Sequence, residues 1–169
     1  MKRAISAFEF RVGSGLDDPP LLEHVDPIGP ANRAEAMRDH DPGGPERGWR
    51  KISTFRKPLF DLEGPTLFLD IDIVIVGNMD GFFDHPGDFL IIRDWQKGDY
   101  TGNSSVYRWR AGTYPDVLEY FRANLDAVRK RHRNEQEFLT AHLTAQGKVS
   151  YWPETWCRSF KKHCVKYFP

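Results

Sequence analysis

The run from Thr66 to Gly77 limits what this chain can fold into more than any other stretch. It reads Thr66-Leu67-Phe68-Leu69-Asp70-Ile71-Asp72-Ile73-Val74-Ile75-Val76-Gly77, the longest apolar run present, and two acids interrupt it. It is rich in β-branched residues, and Gly64-Pro65 and Gly77-Asn78 punctuate its ends, so it reads as a buried strand. Apolar residues fall on both faces, which expects a central strand of a parallel or mixed sheet with helices on each side. Asp70 and Asp72 then need a reason, because a buried carboxylate without a partner is costly. Residues i and i+2 of a strand point to one side, about 6–7 Å apart. That spacing lets both acids converge on one divalent cation with oxygen ligands at a strand end. The structural alternative is a pair of strand-end acids that cap helices or pair with Lys51 or Arg93.

The 169 residues expect one domain, and 24 basic residues balance 24 acidic ones. That neutrality argues against nucleic acid or an anionic membrane as a global partner. The local run Arg129-Lys130-Arg131-His132-Arg133 reads as a solvated helix end, with cations near the negative pole. Cys157 and Cys164 make no disulfide framework. With His163 they supply only three local zinc ligands at a spacing that matches no finger, so reduced structural thiols are the expectation. The Met1 segment lacks the apolar core of a signal peptide. No run approaches the roughly 20 apolar residues of a membrane span. A soluble, cytoplasmic protein without a transmembrane segment is therefore expected.

Residues 1–47 are dense in Gly and Pro and read as an irregular, partly mobile segment. Within it Phe8 to Val12 suggests a short strand and Ala31 to His40 a short helix. The core is expected over residues 48–169. Trp49, Ile52, Phe55 and Leu59-Phe60 recur at helical spacing. Met79 to Phe83 suggests a turn or helical turn, Phe89 to Ile92 a second buried strand, and Ser104 to Trp109 a third. Pro115 opens a long helix through Val128, and a second begins near Glu135, with Gly147 as its C-terminal cap. Val149 to Pro153 fits a short edge strand. Strands alternating with helices indicate an α/β domain.

Asp-x-Asp at Asp70 and Asp72 supports two chemistries. In one, Mn²⁺ or Mg²⁺ on Asp72 neutralises a leaving diphosphate. In the other, a phosphatase of the haloacid dehalogenase type, Asp70 is a nucleophile and Asp72 an acid/base. Motif position disfavours the second, since that class carries the motif near the chain start. Asn103-Ser104 offers sugar-binding polar groups or a plain turn into a strand. Asn134-Glu135-Gln136 faces a pocket or caps a helix. Trp95, Trp152 and Trp156 are core residues or a sugar-stacking wall. Lys51, Lys161 and Lys162 are candidate phosphate contacts.

The order of these pieces resembles a known family. Trp49 to Phe55, Leu67 to Gly77, Asp94-Trp95, Asn103 to Val106, Glu135 to Phe138 and Trp152 to Lys161 together look like bacterial glycosyltransferases of the GT-A fold, distantly similar to the glycogenin and galactosyltransferase group. The resemblance implies a Rossmann-like mixed sheet flanked by helices, in an incomplete version shortened at both ends. It implies transfer of a sugar from a nucleotide-diphospho-sugar donor to a sugar, lipid or protein acceptor. Asp72 would ligate the metal, with Asp70 near the metal and the ribose. Lys51 would hold the nucleotide or diphosphate, with Lys161 a further contact. Asn103 and Ser104 would lie on the donor sugar. The family's Asp-Gln pair near sugar and acceptor falls on Glu135-Gln136, with a longer carboxylate arm. The family's later His-Gly contact has no counterpart, which leaves a catalytically silent binding domain as the alternative.

Overall fold

A computed structural model describes residues 4–5, 47–95 and 101–165. The Phe8–Val12 strand and the helix expected over residues 31–40 lie outside them. A five-stranded mixed sheet, ordered β1-β2-β4-β3-β5, forms the frame. Its strands are β1 (Ala4–Ile5), β2 (Pro65–Leu69), β3 (Phe89–Arg93), β4 (Gly102–Arg110) and β5 (Val149–Tyr151). β2 runs parallel to β1 and antiparallel to β4. β3 runs antiparallel to β4 and parallel to β5. The helices are α1 (Arg47–Phe55, wound as 3-10), α2 (Asp80–Asp84), α3 (Pro115–Ala123), α4 (Leu125–Arg131) and α5 (Glu135–Thr144). Among the described residues, no helix is long and apolar enough to cross a membrane.

Strand alternation divides the core in two. Phe89, Ile91, Tyr107 and Trp109 face α1, α3 and α5, joining Ile52, Phe55, Phe121, Phe138 and Leu139. Leu67, Leu69, Leu90, Ile92 and Val106 face the other way, toward Phe83 and Trp152. This is the period-two pattern of a sheet covered on both faces. Full burial of each large apolar side chain contributes about 1.5–3 kcal/mol. Arg108 lies on the second face, yet it is only 7% exposed. It is accommodated by donating to the carbonyls of Phe83 and Gly87, both at 2.7 Å.

Three expectations change. The central strand stops at Leu69, where its pairing with Val106 ends, and Asp70 N–H makes a last bond to the Ser105 carbonyl at 2.9 Å. Residues 70–73 then turn, with Ile73 N–H on the Asp70 carbonyl. Val76 is 94% exposed and Ile71 80%, so the second half of the apolar run is not core. The turn over residues 70–73 takes the chain off the sheet before those residues can pair. The long helix expected from Pro115 is two helices, α3 and α4. Asn124 separates them with φ −129°, its side chain donating to the Tyr120 carbonyl. Asparagine competes for backbone groups in this way and so interrupts helices. The third strand starts earlier than expected, at Gly102.

Candidate active site

A polar network forms where β2 ends, between α1 and the start of α5. Its centre is Lys51, on the inner side of α1. The Lys51 ammonium lies 2.8 Å and 2.9 Å from the two carboxylate oxygens of Asp70. It also donates to Ser104 Oγ at 3.2 Å and lies 3.7 Å from Glu135 Oε1. The Ser104 hydroxyl donates to Glu135 Oε1 at 2.8 Å. Ser104 N–H reaches Gln136 Oε1 at 3.4 Å, and Gln136 Nε2 donates to Asp94 at the same distance. One cation is thus shared by two carboxylates and a hydroxyl, the kind of partnering that buried charge requires. Beneath it Phe68 stacks on Tyr107 at 4.7 Å, with the Lys51 ammonium 5.5 Å from the Phe68 centroid. Burial pushes the Tyr107 phenol far up, so it stays a neutral partner for Thr54 Oγ1 at 2.9 Å.

The register of β4 explains how Ser104 arrives there. Ile91 pairs with Tyr107, but the next residue, Ile92, pairs with Asn103. The intervening residues of β4 bulge out, and a bulge re-aims the side chains beyond it. Tyr107 and Trp109 face the α5 side, so an unbroken strand would turn Ser105 that way. Past the bulge Ser104 and Gly102 take that side instead. Gly102 fits there without displacing its neighbours, whereas a Cβ would come 2.6 Å from Ile91 Cδ1 and 2.7 Å from Thr140 Oγ1. The approach lets Gly102 N–H donate to Thr140 Oγ1 at 3.0 Å.

α5 delivers its acids through a well-formed start. Asn134 Oδ1 accepts from Glu137 N–H at 3.1 Å, and Glu137 Oε2 accepts from Arg133 N–H at 2.8 Å. Glu135 is then buried, and its Oε2 would lie 3.1 Å from a Cβ on Gly48. Alanine at position 48 would therefore press on that carboxylate.

Of the expected site residues, Lys51, Asp70, Ser104, Glu135 and Gln136 meet in this network. Asn103 does not join them: its Oδ1 accepts from Ser105 N–H at 3.0 Å, closing a local turn. Asp72 is exposed in the turn after β2, where strand geometry no longer sets its direction. Lys161 is exposed on the π-helical turn Phe160–Cys164 and bonds none of the described side chains. Asp94 holds the Gln136 amide, a role that its place in the Asp94-Trp95 pair does not indicate. No spacing rule links it to Gln136, because a hairpin and two helices intervene.

A cleft of about 220 Å³ adjoins the network through Asp94. Trp95, Trp152, Glu154, Arg158 and His163 help to line it. Trp152 is a core residue, its Nε1 donating to the Val106 carbonyl at 3.2 Å. Trp156 is partly exposed, stacked on Trp152 at 6.0 Å. Both cysteines are free, and burial pushes the Cys157 thiol up to about 11. Among the described residues no group of three or more His, Cys, Asp or Glu side chains is arranged to hold a metal ion.

No family model matches the chain, and no curated protein matches it in sequence. Among solved structures, it is similar to the apo form of the glycosyltransferase GlyE from Streptococcus pneumoniae TIGR4, at 15% identity and a TM-score of 0.48. That match covers 72% of this chain and 33% of the other, so this chain spans about a third of that protein's length.

Proposed function

We propose that this chain is a GT-A-type glycosyltransferase domain that moves a sugar from a nucleotide-diphospho-sugar to an acceptor with the help of Mn²⁺ or Mg²⁺. One observation supports the reading. Lys51, Asp70 and Ser104, which the resemblance implies at the donor, and Glu135-Gln136, which it implies near sugar and acceptor, come from separate parts of the sequence and share one hydrogen-bonded network. Two carboxylates suit a hard cation, which takes one or two protein acids plus phosphate oxygens. Asp72 is exposed, and Asp70 retains lone pairs beyond those that face Lys51. In this reading Asp72 and Asp70 hold the cation, which when bound stabilises the departing diphosphate. Lys51 adds a fixed positive charge beside the diphosphate, and Lys161 adds another from the chain's end. Asn103 and Ser104 lie toward the donor sugar. Glu135 is buried, so it orients Lys51 and Ser104, while the half-buried Gln136 has a second amide N–H, beyond the one on Asp94, to offer sugar and acceptor. Catalysis is then mostly positioning and electrostatic stabilisation.

A thermal-shift panel of nucleotide-sugars with and without Mn²⁺ tests this. One donor should raise Tm only with the metal, and Asp72→Ala should abolish that shift. An unchanged shift in Asp72→Ala overturns the metal assignment. Release of phosphate from an aryl phosphate, lost in Asp70→Asn, would instead select the phosphatase chemistry.

A second reading is a catalytically silent binding domain. It is favoured by the closed state of the network, in which Lys51 already has Asp70, Ser104 and Glu135 as partners. Donor binding with no turnover on any acceptor or on water would select it.

A further inference from the structure

The α4–α5 corner carries more positive charge than a helix end needs. Arg129, Lys130 and Arg131 are consecutive and exposed, and Arg133 follows with its side chain 71% exposed. The C-terminal pole of a helix amounts to about half a negative charge, and α4 has only seven residues. Arg133 pairs with Glu137 at 3.4 Å. Arg129, Lys130 and Arg131 form no ion pair among the described residues, although exposed Asp126 lies one turn before them. α4 meets the core through Val128 and, less deeply, Leu125. Its last turn therefore projects cations around most of its circumference. The corner is also held in place: Asn134 and Glu137 fix the backbone between α4 and α5 through the two bonds described above. The nearby His132 imidazole is held below its ordinary value by burial and by the Arg131 charge, which agrees with a positive local potential.

We infer that this corner docks the protein on an anionic lipid surface. Its exposed point charges, clustered at one helix end, suit a flat layer of anionic headgroups. A nucleic-acid surface is the poorer fit. Gripping a phosphate backbone takes basic residues along a stripe or groove, whereas here they cluster at one helix end. Single strands also need aromatic platforms on which to stack. At this corner the His132 and Phe138 rings pack on each other at 5.8 Å. Attraction to a charged membrane requires only the basic residues within a screening length of it, so a neutral protein with one basic corner suffices. This docking stands apart from the transferase reading and is tested without it.

Sedimentation with vesicles of phosphatidylcholine alone, or mixed with phosphatidylserine, is the test. The chain should bind the mixed vesicles and not the neutral ones, and added salt should release it. The triple reversal R129E/K130E/R131E should weaken binding more than about tenfold, since each basic residue near such a surface adds appreciable affinity. The neutral variant R129Q/K130Q/R131Q keeps the helix formers and should fall between the two, and it carries the test if the reversal does not fold. Binding to both vesicle types alike, binding to neither, or undiminished binding by the triple variants overturns the proposal. So does tight RNA binding, lost in those variants, by a chain that ignores vesicles.

Discussion

At the residue scale the decisive interaction is the sharing of Lys51. Lys51→Met strips the cation from both Asp70 and Glu135, whereas Asp70→Asn removes only one carboxylate. The Lys51 and Asp70 side chains are 20% and 23% exposed, so solvent screens part of the loss. Lys51→Met should cost about 1–3 kcal/mol, and more than Asp70→Asn, because a buried Glu135 is left short of a partner. Urea denaturation of both variants decides this, and equal losses would mean that the 3.7 Å contact with Glu135 contributes nothing. Gly102→Ala should cost about 1–3 kcal/mol through overpacking against Ile91 and Thr140. The Lys51–Asp70 pair was legible in the sequence within one of three readings of the acids, the one that offered Lys51 or Arg93 as a partner. The choice of Ser104 over Asn103 was not, because a bulge between paired strands leaves no periodic trace. The exposure of Val74 to Val76 was equally hidden, since apolar composition carries no information about where a pairing partner ends.

At the element scale the start of α5 matters most, because it fixes two of the network residues. Asn134→Ala removes the side-chain bond to Glu137 N–H and should cost about 1 kcal/mol. Amide hydrogen exchange should then rise at the first turn of α5 before it rises in β3 or β4. A uniform rise across the sheet would show instead that the helix start has no local stability of its own. Elements were readable where a pattern repeats: β3, β5, α5 and the Gly147 cap, whose φ is +68°, lie where periodicity and turn residues put them. The break at Asn124 was missed because apolar spacing runs on across it, from Phe121 to Leu125 and Val128. Only the side chain's bond to the Tyr120 carbonyl reveals it.

At the scale of the whole molecule, two core layers are clamped on one mixed sheet, and its strand order could not be read from chain order. α/β alternation indicates the fold class without an order of strands; β4 lies between β2 and β3, and Arg108 carries a charge through the second layer. Global stability should depend on pH through groups outside the network. Burial, reinforced by Arg131, holds His132 below the ordinary imidazole value of 6.5. Folding thus opposes its protonation, so the unfolded chain binds more protons as pH falls through 6.5, and stability falls with it. Burial pushes the Asp116 carboxyl up, but hydrogen bonds from His142 and Gln146 outweigh that and leave it below its ordinary 3.8. Its contribution is present above 3.8 and is lost as pH falls through the depressed value. Both groups destabilise the fold on the acid side, in separate windows. Denaturant titrations at stepped pH should show a first decline beginning near 6.5, and His132→Gln should flatten that decline while leaving the loss below 3.8 intact. If His132→Gln leaves the first decline unchanged, another group sets the upper window, and the packing of His132 against Phe138 has no protonation cost.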